Sequence, residues 1–145
     1  EYTYVNGNAY GTTKKSVEEA RARGKNVILD VDTIGAMKIR ALCPDATLIY
    51  ILPPSWDELK SRLSSTGIYT EEEVNALMEI AEEEISCANN YDYILVNDTI
   101  SNTLSRFAQI IHSNRYSRNC MKEFLDSYID GEVKPHVQSY KEALL

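Results

Sequence analysis

Apolar positions along the chain fall into two kinds of run. In the first kind they follow one another directly: Val27-Ile28-Leu29, broken only by Asp30 and Asp32, then 47–52, then 93–96. Apolar side chains on successive residues fill both faces of a strand, as in a parallel sheet covered on both sides. In the second kind the apolar positions recur at helical spacing, and the pattern predicts helices at about 34–42, 56–64, 71–89 and 100–112. Two of these open with capping boxes, Ser55-x-x-Glu58 and Thr70-x-x-Glu73. A shorter helix is expected from about 13 to 23, with Gly24 as its stop. Strands that alternate with helices build βαβ units and an α/β fold.

The first dozen residues follow another rule. Asn6-Gly7 stands between two β-rich runs and suits a two-residue type I′ turn. Counting outward pairs Val5 with Asn8, Thr3 with Tyr10 and Glu1 with Thr12. The two-residue period of a strand then gives Glu1, Thr3, Tyr10 and Thr12 one face, and Tyr2, Tyr4 and Ala9 the other. At the far end, from about 113, the chain turns polar before a helix expected near 121–129 and a second near 137–144, so 113–145 reads as a helical extension.

Composition narrows the function. With 145 residues, 43% hydrophobic and 26% charged, the chain fits one globular domain with a real core. No apolar run reaches the roughly 18 residues of a membrane span, and no secretory signal is readable, so no membrane partner is expected. The formal charge of -7 without a clustered basic face argues against nucleic acid and leaves a small molecule or a protein as partner. Cys43, Cys87 and Cys120 lack C-x-x-C spacing; they are expected as small buried or half-buried thiols in a reducing, cytoplasmic setting. His112 and His136 have no metal-like spacing, and Trp56 is expected to pack against the sheet.

Ligands of open α/β sheets sit beyond the carboxyl ends of the strands. The candidates there are Asp30 and Asp32, Pro53-Pro54-Ser55, and Asn97-Asp98. A carboxylate in that place holds Mg2+ or its waters in nucleotide enzymes, or simply caps the next helix. For Asp30 and Asp32 the two readings are evenly balanced; for Asn97 and Asp98 capping is the simpler one.

Four segments carry a resemblance: Gly7-Asn8-Ala9-Tyr10-Gly11-Thr12, Val27-Ile28-Leu29-Asp30-Val31-Asp32, Ile51-Leu52-Pro53-Pro54-Ser55 and Tyr91-Asp92-Tyr93-Ile94-Leu95-Val96-Asn97-Asp98. In order and spacing they resemble the later part of guanylate kinases, over about 1–112. The resemblance implies a P-loop nucleoside monophosphate kinase-like parallel-sheet core, part of a β-rich GMP-binding lobe in the 1–12 hairpin, and a helical lid at about 62–77. It implies transfer of the γ-phosphoryl group of Mg-ATP to GMP, giving GDP and ADP. By the same carry-over Glu1, Tyr10, Thr12 and Asp32 bind GMP, and Asp30 faces Mg2+ through water and is catalytic. Arg62 matches the first lid arginine and is catalytic by that likeness, with an i,i+4 pairing to Glu58 as its plainer reading, and Asn97 lies near the ATP adenine. Guanine presents N1–H and an amine side by side, which a carboxylate accepts together, whereas adenine has an acceptor at N1.

The chain also departs from that pattern. It has no G-x-x-x-x-G-K-[ST] loop, and no Ser/Arg-rich segment before the hairpin. The second lid arginine is Thr66, the lid Lys-Arg pair is Ala76-Leu77, and the Gln after the two aspartates is Ile34. The expectation is an amino-terminally truncated chain, inactive alone, whose sheet needs a missing segment or a protein partner to satisfy its backbone groups. The alternative is a catalytically silent guanylate kinase-like module that binds a protein.

Overall fold

The computed structural model describes residues 2–5, 8–11 and 13–131, with the backbone alone at 2–5 and 8–10. The chain divides into two compact units, Glu1–Val96 and Asn97–Leu145.

The first unit begins with β1 (Tyr2–Val5) and β2 (Asn8–Gly11), an antiparallel pair in the register Tyr2↔Gly11, Thr3↔Tyr10, Tyr4↔Ala9 and Val5↔Asn8. That is the register expected from a two-residue connection, although Glu1, the Asn6-Gly7 turn and Thr12 lie outside the described residues. Helix α1 (Lys14–Ala22) follows, with the Thr13 hydroxyl accepting from the Ser16 N–H at 3.2 Å and Gly24 at φ +71° past its end. A left-handed residue there needs glycine, because any Cβ would crowd the following carbonyl.

Residues 25–32 form no strand, contrary to the sequence pattern. An apolar run becomes a strand only where a neighbour offers a ladder of donors and acceptors, and no described segment pairs with this one. It leads instead into α2 (Thr33–Leu42). The parallel sheet consists, among the described residues, of β3 (Ile49–Leu52) and β4 (Tyr93–Val96), aligned Ile49↔Tyr93 through Leu52↔Val96. Parallel neighbours need a long crossover, supplied here by α3 (Trp56–Ser65), α4 (Glu71–Ile85) and a 3-10 turn over Ser86–Asn90.

The predicted capping boxes fare differently. At α4 both halves form: the Glu73 N–H donates to the Thr70 hydroxyl at 3.3 Å, and the Thr70 N–H donates to the Glu73 carboxylate at 2.8 Å. At α3 the Glu58 N–H donates to Ser55 at 3.1 Å, but the Glu58 carboxylate turns to the Arg62 guanidinium at 2.8 Å. The core of this unit rests on Ala36, Leu48, Val74, Ala88 and Leu95. Coverage of the sheet on both faces, expected from the apolar runs, is incomplete: Leu95 is buried, whereas Ile94 and Ile51 are exposed. Trp56, the first residue of α3, is also exposed rather than packed on the sheet. Cys87 is half-buried as expected, but Cys43 and Cys120 lie at the surface.

The second unit holds α5 (Ile100–Asn114) and α6 (Lys122–Ile129). On α6 the rings of Phe124 and Tyr128 meet edge-to-face at 5.1 Å, and Lys122 donates to Asp126 at 2.6 Å one turn on. The helix expected near 137–144 lies outside the described residues. No helix among the described residues is long and apolar enough to cross a membrane.

Candidate functional site

Asp32 occupies the N-cap of α2 with extended backbone, and its Oδ1 accepts from the Gly35 N–H at 2.6 Å. Its main-chain carbonyl accepts from the Ala36 N–H at 2.9 Å. One carboxylate oxygen is thus held by the first turn of a helix whose positive end favours the anion, and the second remains for another donor. The evenly balanced readings of Asp32 are compatible, because a carboxylate has lone pairs enough for a cap and a ligand together. Asp30 is exposed in the irregular segment 25–32.

Around the start of α2 the fold gathers residues distant in sequence. The Thr33 hydroxyl donates to the Glu84 carboxylate at a long 3.4 Å, tying α2 to the last turn of α4. Tyr50 of β3 and Tyr91, just before β4, meet edge-to-face at 5.0 Å. Burial, more than any neighbouring charge, pushes both phenols above the usual tyrosine range. Glu84 and Cys87 add to the rise at Tyr50, and at Tyr91 the Tyr50, Cys87, Glu84 and Asp32 charges add in that order. Asp32 and Glu84 are therefore near enough to act on one aromatic pair, which stays protonated at neutral pH and can donate.

A second cluster fixes the strands. Asp92 Oδ2 accepts from Arg40 Nη2 at 2.6 Å and from the Leu48 N–H at 2.7 Å. Arg40 Nη1 donates to the Pro44 and Ala46 carbonyls at 3.0 and 2.9 Å. One guanidinium thus ties the loop after α2 to the entry of both β3 and β4, a task suited to its planar fork of donors.

Beyond β3, Arg62 pairs with Glu58 one helical turn back at 2.8 Å, with both side chains partly exposed. The turn between α3 and α4 passes through Gly67 at φ +67°, again a left-handed position. In the second unit, Thr99 caps α5 by accepting from the Asn102 N–H at 3.3 Å. Asp98 accepts from the Thr99 N–H at 2.6 Å, from Asn102 Nδ2 at 3.3 Å and from Arg106 at 3.1 Å. The Thr99 N–H does most to hold the Asp98 carboxyl below its usual range; desolvation opposes, and Asn102 and Arg106 assist. Asn97 is half-buried, and its Oδ1 accepts from the Thr103 hydroxyl at 3.1 Å. Capping, the simpler reading for Asn97 and Asp98, thus falls to Thr99 itself, with Asp98 seated beside it.

A sequence profile of the family described as guanylate kinase matches residues 1–114. The chain belongs to the guanylate kinase family. A guanylate kinase of Clostridium acetobutylicum is 40% identical over 141 residues, covering 97% of this chain and 66% of that protein. One of Francisella tularensis is 44% identical over 115 residues, covering 79% and 60%. The crystal structure of guanylate kinase from Anaplasma phagocytophilum superposes with a TM-score of 0.65 at 30% identity, covering 81% of this chain and 56% of that one. The fold is therefore the α/β guanylate kinase fold, and the chain spans 66% or less of the length of each of these relatives.

Of the residues that guanylate kinase likeness singles out, Asp30 and Asp32 lie on one segment leading into α2, Arg62 lies in α3, and Asn97 opens the second unit. Tyr10 is paired with Thr3 through the β1–β2 ladder, while Glu1 and Thr12 lie outside the described residues. Sequence reasoning missed Thr33, Glu84 and the Tyr50–Tyr91 pair around Asp32, and the Arg40–Asp92 anchor. The Tyr-Asp-Tyr run before β4 was a usable signal for the anchor, since a carboxylate beside an apolar strand needs a cation or backbone donors.

Proposed function

We propose that the whole protein transfers a phosphoryl group from Mg-ATP to GMP, giving GDP and ADP, and that this chain supplies most of the acceptor side. Family membership supports the reading, and the observation that carries it is Asp32: one oxygen is fixed by the Gly35 N–H at 2.6 Å, leaving the other for the paired N–H donors of guanine. Glu1, Tyr10 and Thr12 are assigned to the same GMP from the hairpin. Arg62 is assigned to the lid, where swinging away from Glu58 would bring a cation toward the transferring group. Asn97 is assigned to the adenine of ATP.

Asp30 is the carboxylate assigned to Mg2+. It is exposed, and no group of three His, Cys, Asp or Glu able to hold a metal occurs among the described residues. A single accessible carboxylate fits an ion carried by the nucleotide and touched through water, which is how Mg2+ keeps most of its hydration. When bound, Mg-ATP supplies the phosphoryl group and the charge neutralisation that transfer needs. Asp32 orients the acceptor base, and the α2 start holds Asp32 in place. In this reading 1–112 is the kinase portion and 113–145 an extension, working in the cytoplasm, where Cys43, Cys87 and Cys120 would stay reduced.

A silent protein-binding module is the rival, favoured by the absence of charge at Thr66, Ala76 and Leu77. The whole protein incubated with Mg-ATP and GMP is expected to form GDP and ADP in equal amounts. GMP binding without any GDP would remove the enzyme reading and leave the rival.

A further inference from the structure

Glu84 stands where its own helix gains nothing from it. It lies in the last turn of α4, behind Glu82 and Glu83, and that turn holds no basic residue. A helix end of this kind carries negative partial charge and disfavours a carboxylate. Glu84 is nevertheless half-buried, and its Oε1 accepts from the Thr33 hydroxyl at 3.4 Å, across 51 positions of sequence. Chemistry settles the direction of that bond, because an ionised carboxylate only accepts and the hydroxyl must supply the proton.

The cap of α2 does not need the bond either. Asp32 Oδ1 already accepts the Gly35 N–H, and the Asp32 carbonyl accepts the Ala36 N–H. What the bond adds is a distant partner for the residue directly after Asp32. Thr33 is β-branched and stiff at χ1, so a hydroxyl held by α4 restrains the backbone that carries it. Asp32 and Glu84 also both raise the Tyr91 phenol, which puts the two carboxylates in one neighbourhood.

We propose that Thr33 and Glu84 are positioning residues, whose bond keeps the start of α2 in the arrangement that turns the free oxygen of Asp32 to guanine. This rests on the assignment of Asp32 to GMP. Without the bond the α2 start is shared among several arrangements, and the apparent Kd rises as the competent fraction falls. The loss of one hydrogen bond limits that factor to about 3- to 10-fold. In the whole protein, Thr33→Val keeps the shape and removes the hydroxyl, whereas Thr33→Ser keeps the hydroxyl. For valine, the calorimetric Kd and the KM for GMP rise about 3- to 10-fold while kcat at saturating GMP holds, and serine restores both. Glu84→Ala gives the same rise, and joining it to Thr33→Val gives no more. A double-mutant cycle reads the positioning itself: with Asp32→Asn in place, Thr33→Val weakens GMP no further, whereas an effect independent of Asp32 would add its full factor. An unchanged Kd for valine, a fall confined to kcat, failure of serine to restore binding, or full additivity with Asp32→Asn overturns the proposal. Should the valine variant not fold, Thr33→Ala is read the same way. Asp32→Asn alone separates the levels. If it leaves GMP affinity unchanged, the assignment of Asp32 to GMP is wrong. If it weakens GMP while Thr33→Val does not, only the role of Thr33 and Glu84 falls.

Discussion

Asp32→Asn is expected to weaken GMP binding by the whole protein about 100-fold or more while leaving its thermal stability nearly unchanged. The two effects separate because Asp32 has two tasks. Its Oδ1 accepts the Gly35 N–H at 2.6 Å, and asparagine caps a helix as well as aspartate does. Guanine's N1–H and amine, however, ask for acceptor lone pairs, and an asparagine that keeps its Oδ1 on the Gly35 N–H turns only its Nδ2 amine, a donor, toward the base. A buried donor set against a donor loses its hydrogen bond and also carries the cost of desolvation, which is why sites built around such pairs discriminate strongly. Calorimetry with GMP, paired with a melting curve, reads both quantities. If GMP affinity survives and stability alone falls, Asp32 is a helix cap and nothing more.

Arg40→Met is expected to destabilise the fold by about 2 kcal/mol, with GMP affinity of the folded protein retained. Methionine keeps the aliphatic length but strands the Pro44 and Ala46 carbonyls and leaves Asp92 with the Leu48 N–H alone. A fully buried pair broken in this way would cost about 3–5 kcal/mol. The side chains of Arg40 and Asp92 are 30% and 40% exposed, so water recovers part of that loss. Arg40→Lys keeps the charge without the fork, and should lie between wild type and methionine. Urea unfolding of the three proteins measures the order; a lysine variant as stable as wild type would show that charge alone matters.

These two sites also mark what could be read from the sequence. The helices were legible because their signals are local: Ser55 and Thr70 as caps, Gly24 as a stop, apolar residues on one stripe. The hairpin register was legible because a two-residue turn and a two-residue period leave a single pairing. The apolar run Val27-Ile28-Leu29 predicts a strand that does not form, because a strand is a relation between segments, and apolar residues alone do not supply the neighbour. Arg40 and Asp92 stand 52 positions apart, and Thr33 and Glu84 stand 51 apart, so no periodicity could join them. At the site, Asp30, Asp32 and Asn97 stood out as strand-end polar residues and by likeness to a known family. What stayed hidden was how Asp32 divides its two oxygens, because that depends on the geometry of one helix turn.

The account depends on a guanine base being chosen by carboxylate oxygens, with Asp32 among them. Titrating the whole protein calorimetrically with GMP and, separately, with AMP tests this most directly. GMP is predicted to bind at least about 100-fold more tightly than AMP, since adenine cannot offer the paired donors. Equal affinity for the two nucleotides, or no binding of either, would contradict it.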